Sequence, residues 1–255
     1  LALSSLMAVE TAAVVVSAAT GIGVNTRRMF RAAKEAGLAR MIIISRIDHE
    51  NVRPEDTFNA VRETFGPECH AINLPCNGGK GVIDVWKNAS GSADILDVAK
   101  CHGELLDAIV ETDDSLMEEY MSTGTVEHDK LEAAIGKAVA SGHVVPVLFC
   151  AAKNGVGVDE LLHAFIEFAP SPEDGKHRDL ILGEGETAKR TPIEPKPDGD
   201  FVAQVFKITT DPKSNIKYSL ARVHRGTLAM EGQVFVSGDR KGQRPGHFLK
   251  MRGLQ

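Results

Sequence analysis

The sequence has few cysteines, and none of them is paired in a Cys-x-x-Cys motif. The four cysteines in the 255 residues are Cys69, Cys76, Cys101 and Cys150. The spacing does not match a zinc ribbon, and the composition as a whole excludes a disulfide-stapled domain. We expect buried or unreactive thiols in a reducing compartment, the cytoplasm, and no metal site.

Long apolar runs are absent as well. No uninterrupted stretch reaches the ~18 apolar residues that a membrane-spanning helix needs, so we expect no membrane association. Residues 1–19 are small and apolar, but they contain no basic residue and Glu10 interrupts them, which argues against a secretory signal. The first residue is leucine rather than methionine, and we expect a piece of a longer chain.

Aromatic residues make up only 5% of the chain, whereas 43% of the residues are hydrophobic and 25% are charged. This balance excludes disordered and collagen-like classes and is typical of a globular protein of one large or two modest domains. The net charge of −6 is unevenly distributed. Residues 199–255 hold ten Lys and Arg against four Asp and Glu, a net +6, and residues 1–198 carry −12. We expect an acidic module followed by a basic one.

Buried strands alternate with amphipathic helices in the first two thirds of the sequence. The segment 11–18 (TAAVVVSA) is β-branched and apolar without alternation, as in strands covered on both faces. Further strands are predicted at 41–44, 71–74 and 144–149, and helices at 26–36, 53–65, 103–121, 128–140 and 158–168. The apolar stripe of the last helix comprises Val158, Leu161, Leu162, Phe165 and Phe168. This order predicts an α/β fold with a mostly parallel sheet and helices on both faces.

A change in composition marks a second region. Residues 170–199 are rich in Pro, Gly, Lys and Glu, which predicts an interdomain linker. Strand-like segments follow at 201–208, 218–225, 233–236 and 246–251. They predict part of a small β-barrel over residues 200–255. Its expected interior residues are Val202, Val205, Leu220 and Phe235.

Several segments resemble one protein family, in the order of that family. They are 13–18 (AVVVSA), 25–28 (NTRR), 42–48 (IIISRID), 81–85 (GVIDV), 111–120 (ETDDSLMEEY), 146–154 (PVLFCAAKN), 170–172 (PSP), 202–207 (VAQVFK) and 222–228 (RVHRGTL). Together they resemble the second half of the GTP-binding domain of translation elongation factor G and the start of its second, barrel domain. Ordered matches over nearly the whole chain are more specific than any single motif.

The resemblance implies a domain organisation. Residues 1–169 would form part of a GTP-binding domain, with an inserted helical subdomain at about 75–142. Residues 170–199 would form a linker, and residues 200–255 part of the barrel. The inserted segment with 116–120 (LMEEY) favours elongation factor G and its close relatives over small signalling GTPases, which lack it.

The first base-recognition motif of the family, Asn-Lys-x-Asp, falls on Ser45, Arg46 and Asp48. The resemblance implies that the Asp48 carboxylate accepts two hydrogen bonds from guanine, which an adenine ring cannot supply. Ser45 is too short to span the gap that the family asparagine spans, and the planar Arg46 guanidinium can still stack on a purine. Without the resemblance, the sequence predicts that Asp48 is a solvated or helix-capping carboxylate after a strand.

The second base-contacting motif, Ser-Ala-x, falls on Cys150, Ala151 and Ala152. Its main contribution in the family is a backbone N–H at the alanine, which contacts the guanine oxygen. Ala151 keeps this contact because no side chain is required, whereas Cys150 lacks the serine hydroxyl and loosens the loop. These six residues are the candidate cofactor-binding residues, for GTP or GDP with Mg²⁺ in the intact protein.

A phosphate-binding loop is missing from the sequence. The pattern G-x-x-x-x-G-K-[ST] does not occur, since the segment 78–81 (GGKG) has the wrong spacing and 21–23 (GIG) lacks the lysine. None of the nine histidines matches the family's catalytic one, so we assign no catalytic residue and no metal ligand within this chain.

The basic C-terminal segment is the candidate for partner binding. Its residues are Lys207, Lys213, Lys217, Arg222, Arg225, Arg240, Lys241, Arg244, Lys250 and Arg252. They form either a solvated charged surface or, as the resemblance implies, one barrel face that meets ribosomal RNA and proteins. We expect a monomer. Two alternatives stay open: a non-hydrolysing ribosome-binding paralogue, and a ribosomal-protection protein of the tetracycline-resistance type.

These 255 residues alone should not hydrolyse GTP, because phosphoryl transfer relies on phosphate clamping and magnesium. The measurement is phosphate release from Mg²⁺-GTP by the purified chain, and we expect the rate of buffer alone. Turnover that co-purifies with a chain of this length would contradict the assignment.

Overall fold

The computed structural model describes residues 2–183, 188–211, 214–229, 231–239 and 241–249. The chain divides into two compact units, Leu1–His177 and Arg178–Gln255. Four of the predicted basic residues, Lys213, Arg240, Lys250 and Arg252, lie outside the described ranges.

The first unit alternates strands and helices. Its strands are β1 (Thr11–Ser17), β2 (Ala39–Ser45), β3 (Cys69–Ala71), β4 (Asn73–Cys76), β5 (Gly81–Asp84) and β6 (Val145–Cys150). Its helices are α1 (Ala2–Ser5), α2 (Val24–Glu35), α3 (Pro54–Phe65), α4 (Val98–Val110), α5 (Asp114–Thr123), α6 (His128–Ser141) and α7 (Val158–Glu167). Short 3-10 turns occupy Leu6–Ala8 and Ala152–Asn154.

Four of these strands form a parallel sheet in the order β1-β2-β6-β3. All six residues of β6 are buried, and so are the first six of β2. Ile42 and Ile44 of β2 face one hydrophobic cluster with α2 and α3, and Met41 faces a second cluster with α4 and α6. The predicted α/β fold, with a parallel sheet and helices on both faces, is confirmed.

Two predicted elements are divided in the structure. The strand expected at 71–74 becomes β3 and β4, because the chain leaves the sheet at Ile72 and β4 pairs antiparallel with β5. The helix expected at 103–121 becomes α4 and α5. Asp113 divides them, since its carboxylate accepts the free backbone N–H groups of Ser115 and Leu116 and so starts a new helix.

Helix α7 buries less of its predicted stripe than expected. Phe168, just beyond the helix, is 1% exposed and Ala164 is also buried, whereas Leu162 and Phe165 are exposed at 54% and 37%. The apolar stripe predicted from the sequence is therefore only partly buried. The helix meets the sheet along a narrower line, through Leu161, Ala164 and Phe168.

The second unit consists of two antiparallel pairs in its described part. The pair β7 (Asp179–Leu182) and β8 (Lys189–Pro192) lies within the predicted linker, and the pair β9 (Val202–Thr210) and β10 (Lys217–Arg225) matches two predicted strands. Residues 233–236 contribute an isolated bridge from Val234 to Gln243, and residues 246–249 form no strand.

The expected barrel interior is only partly covered. Val205 and Phe235 are 53% and 68% exposed, so the prediction that they fill an interior is wrong. A two-stranded ribbon has one apolar face and needs a second layer to bury it. The register also places Lys207 directly opposite Leu220, so a basic and an apolar side chain share one face.

Among the helices in the described ranges, none combines the length and the apolar character that spanning a bilayer would need.

The buried thiol of Cys69 makes stability depend on pH. Burial, followed by the nearby Glu68 carboxylate, raises the pKa of Cys69 from 9.0 to about 12. Above pH 9 the unfolded thiol ionises while the folded one stays protonated, so the free energy of unfolding falls by about 1.4 kcal/mol per pH unit towards pH 12. We expect Cys69→Ala to show a shallower decline between about pH 8 and 10.5 in urea unfolding. Equal declines in both proteins would contradict this.

Candidate functional site

The two predicted base-recognition motifs meet at one edge of the parallel sheet. Strands β2 and β6 are neighbours, and their last residues, Ser45 and Cys150, are register partners. Just beyond them, the Ile47 backbone N–H donates to the Cys150 carbonyl at 3.4 Å. Because parallel strands end at the same edge, both motifs enter loops on one side of the sheet, where α/β folds bind ligands.

Ser45 connects this edge to the neighbouring strand β1. Its hydroxyl donates to the Val16 carbonyl at 3.3 Å, and its own carbonyl accepts the Ala18 N–H at 2.9 Å. The side chain therefore holds the loop after β1 against β2. That Ser45 is too short for the role of the family asparagine stays a prediction.

Arg46 is exposed and adopts a left-handed backbone conformation, with φ of +62°. A residue with a Cβ pays about 1–2 kcal/mol for this conformation. Strained residues of this kind are concentrated at ligand-binding positions. The strain turns the chain sharply out of β2, so that Ile47 points into the core and Asp48 remains accessible at the sheet edge.

Asp48 joins the two motifs directly. Its carboxylate accepts a hydrogen bond from the side-chain amide of Asn154, which follows β6 in the second loop. The carboxylate thus lies over the turn that contains Ala151 and Ala152. Asn154 was not predicted as a site residue, and its amide occupies the acceptor that the sequence assigns to guanine donors.

The turn after β6 is closed by its own backbone. The Ala151 N–H, predicted to face the base, donates to the Val156 carbonyl at 2.9 Å, and the Ala151 carbonyl accepts the N–H of Val156 at 3.2 Å. Ala151 is 1% exposed. The predicted contact with a base oxygen therefore requires the bond to Val156 to open.

Cys150 is a neutral thiol at physiological pH. Burial raises the pKa of its thiol, Asp48 raises it further, and a hydrogen bond from the Ala152 backbone N–H opposes both effects. The Ala152 amide thus interacts with the sulfur at the position where the family has a serine hydroxyl. A neutral side chain here leaves Asp48 as the anionic group of the two motifs.

The glycine-containing turn between β4 and β5 does not supply a phosphate cradle. In the turn between β4 and β5, the Gly79 N–H already donates to the Asp94 carboxylate at 3.0 Å. Such a carboxylate would repel a phosphate. Within the described residues there is also no group of three or more His, Cys, Asp or Glu placed to hold a metal ion. The described residues of this turn therefore do not fit the phosphates of a nucleotide or its magnesium.

A cavity of about 290 Å³ lies elsewhere, among α4, α5 and α6. Trp86, Tyr120 and His128 contribute to its lining, and none of the six predicted site residues does. It is therefore separate from the edge at which β2 and β6 end.

The parallel sheet, with base-recognition loops at the carboxyl ends of adjacent strands, defines a nucleotide-binding α/β domain. The profile of the Elongation factor Tu GTP binding domain matches residues 2–171. The chain belongs to this family of translational GTPases, and the predicted resemblance is confirmed.

Individual relatives agree with this assignment. Two proteins described as "Elongation factor G-like protein", from Mycobacterium tuberculosis strains CDC 1551 / Oshkosh and ATCC 25618 / H37Rv, are each 27% identical over 250 residues. Each match covers 92% of this chain and 34% of the relative. A crystal structure from Thermus thermophilus superposes with a TM-score of 0.70 and 29% identity, over 91% of this chain and 34% of that one. The chain thus spans about a third of the length of these relatives.

Removing the side chain of Arg46 should stabilise the fold. Glycine adopts a positive φ without strain, so Arg46→Gly is expected to raise the free energy of unfolding by about 0.5–1 kcal/mol, after the entropy that glycine adds to the unfolded chain. Urea unfolding of both proteins is the measurement. The matched control is Arg53→Gly, at an exposed arginine with negative φ, which should not stabilise. Destabilisation by Arg46→Gly would show that its guanidinium makes a structural contact.

Proposed function

We propose that the chain recognises the base of a guanine nucleotide at the edge where β2 and β6 end. The observation that carries the proposal is the contact between the Asp48 carboxylate and Asn154, which places both base-recognition motifs on one small surface. In the intact protein, this site would bind GTP or GDP with Mg²⁺. Hydrolysis of GTP would drive the movement of transfer and messenger RNA on the ribosome, as in elongation factor G.

The chemistry of Asp48 accounts for selectivity. An ionised carboxylate offers two acceptor oxygens, which match the N1–H and the exocyclic amine of guanine. Adenine lacks this pair of donors, and an unpaired carboxylate costs about 1–3 kcal/mol. Asn154 donates an amide N–H to the same carboxylate, so guanine replaces one donor with two. Arg46 stands at the start of this loop, where its planar guanidinium can stack on the purine.

The phosphates of the nucleotide would be held by residues outside this chain. Magnesium would supply positive charge that offsets the charge developing during phosphoryl transfer, and no residue of this chain is assigned to hold it. Within the 255 residues, the proposed work is restricted to holding and selecting the base. The affinity of this chain for a nucleotide should therefore come from the base and be weak.

The second unit would supply contacts to ribosomal RNA and proteins in the cytoplasm. The six predicted basic residues that the structure describes are not exposed equally. Lys217, Lys241 and Arg244 are exposed, and Lys207, Arg222 and Arg225 are half-buried. Arg225 donates through Nε to the Asp200 carbonyl at 3.2 Å, so it also braces the ribbon. The exposed lysines and arginine are the groups best placed to meet phosphate.

Exchanging one atom of Asp48 should change which base is bound. Asp48→Asn replaces an acceptor with a donor, which suits the carbonyl of xanthine at the position of the guanine amine. We expect the affinity for guanosine 5′-monophosphate to fall by about tenfold or more and the affinity for xanthosine 5′-monophosphate to rise. Isothermal titration of both ligands is the measurement. Glu50→Gln, which removes an exposed charge two residues away, is the control and should retain the guanine preference. An unchanged preference in Asp48→Asn would refute the assignment of Asp48.

Association with ribosomes should be electrostatic. In a sedimentation assay, the chain is expected to pellet with ribosomes at low salt and to be released steeply as salt increases. Lys217→Glu should weaken pelleting, whereas Glu173→Lys, an exposed change of opposite sign in the first unit, should not. If no more of the chain pellets than of an uncharged control protein, the RNA-binding role of the second unit is excluded.

A further inference from the structure

The hairpin formed by β4 and β5 contains a fully buried polar side chain. Asn73 is 0% exposed and lies in a stretch of buried residues. Its side-chain carbonyl accepts the Phe149 N–H at 2.7 Å, and its amide donates to the Phe149 carbonyl at 3.1 Å. One side chain therefore satisfies both backbone groups of a residue 76 positions away.

This pair of hydrogen bonds continues the pairing along β6 beyond the end of β3. β3 pairs with β6 from Val145 to Val147, and Ile72 donates the last backbone bond to the Val147 carbonyl. Beyond Val147, the backbone N–H and carbonyl of Phe149 point to the side of β6 that β3 no longer covers. Without Asn73, its N–H and carbonyl would be buried and unpaired. Phe149 directly precedes Cys150, where the turn of the candidate site begins.

The far end of the same hairpin touches the other half of the site. Gly79 has a φ of +76°, and a Cβ placed on it would lie 2.5 Å from the Ile47 carbonyl oxygen. Its N–H is fixed by Asp94, whose own N–H donates to the Pro75 carbonyl at 2.8 Å. The hairpin thus contacts β6 just before the turn and the β2 loop just before Asp48.

We infer that Asn73 is a positioning residue for base recognition. By fixing the end of β6 to a hairpin that also packs against Ile47, its amide sets the spacing between the turn at 150–154 and the Asp48 carboxylate. This inference rests on the proposed function, because it assigns to Asn73 a part in selecting guanine at that same site.

The test compares two changes at adjacent buried positions of β4. Asn73→Leu keeps the size of the side chain and removes both bonds to Phe149. Leu74→Val is the control, since it removes one methylene from a 0% exposed side chain and leaves the amide in place. Asn73→Asp, which keeps an acceptor for the Phe149 N–H, serves if the leucine variant does not fold. All proteins are compared below their unfolding midpoints.

Two readouts are measured by NMR. Amide hydrogen exchange at Phe149, Cys150 and Ala151 should accelerate at least about tenfold in Asn73→Leu, and less in Asn73→Asp. The preference for guanosine over adenosine 5′-monophosphate should fall by about tenfold in Asn73→Leu and remain in Leu74→Val. A purely structural role would lower stability in both variants and leave the base preference intact in both.

The outcomes separate the two proposals. The positioning role would be overturned if Asn73→Leu kept the wild-type exchange rates and base preference. It would also be overturned if Leu74→Val lost as much of the base preference as Asn73→Leu. If the wild-type chain itself does not distinguish the two nucleotides, the proposed function fails. The positioning of the turn by Asn73 is then decided by exchange alone: acceleration restricted to residues 149–151 supports it, and unchanged exchange refutes it.

Discussion

The pairing of β2 with β6 is the constraint on which the site depends. Their register places Ser45 beside Cys150, so two loops that are about a hundred residues apart in the chain leave the sheet at the same edge. Burial of both strands fixes this register, because a slip of one residue would turn the apolar side chains away from their clusters. The contact from Asp48 to Asn154 is a consequence of that register, and the proposed base site depends on it.

Sequence patterns were sufficient for the architecture, and the structure brings the two predicted motifs to one edge of the sheet. Continuous apolar strands alternating with amphipathic helices predicted the parallel sheet. The family resemblance implied that the Asp48 carboxylate and the Ala151 backbone amide contact the same purine. The patterns did not reveal the division of 71–76 into two strands or the helix start at Asp113, because both depend on single polar side chains that bond to backbone groups. Such bonds leave no periodic signal in the sequence.

Asn73 and Asn154 show the same limitation at the site itself. Asn73 was visible as a polar residue inside an apolar strand, which is a usable signal because buried amides require partners. Its partner, Phe149, could be found only from the folded chain. Nothing in the sequence beyond the family motif pointed to Asn154. The hydrogen bond from the Ala151 N–H to the Val156 carbonyl could not be predicted from the sequence either. The structure shows the Ala151 N–H inside a closed turn, so the proposed base contact requires that turn to open.

The central claim is that a purine base binds where β2 and β6 end. It is tested most directly by adding guanosine 5′-monophosphate to the ¹⁵N-labelled chain and following every backbone amide and the Asn154 side-chain amide. We expect saturable shifts confined to residues 45–48 and 150–156, with the Asn154 amide released from Asp48. Shifts centred instead on the cavity around Trp86, or no saturable shift at either motif, would contradict it.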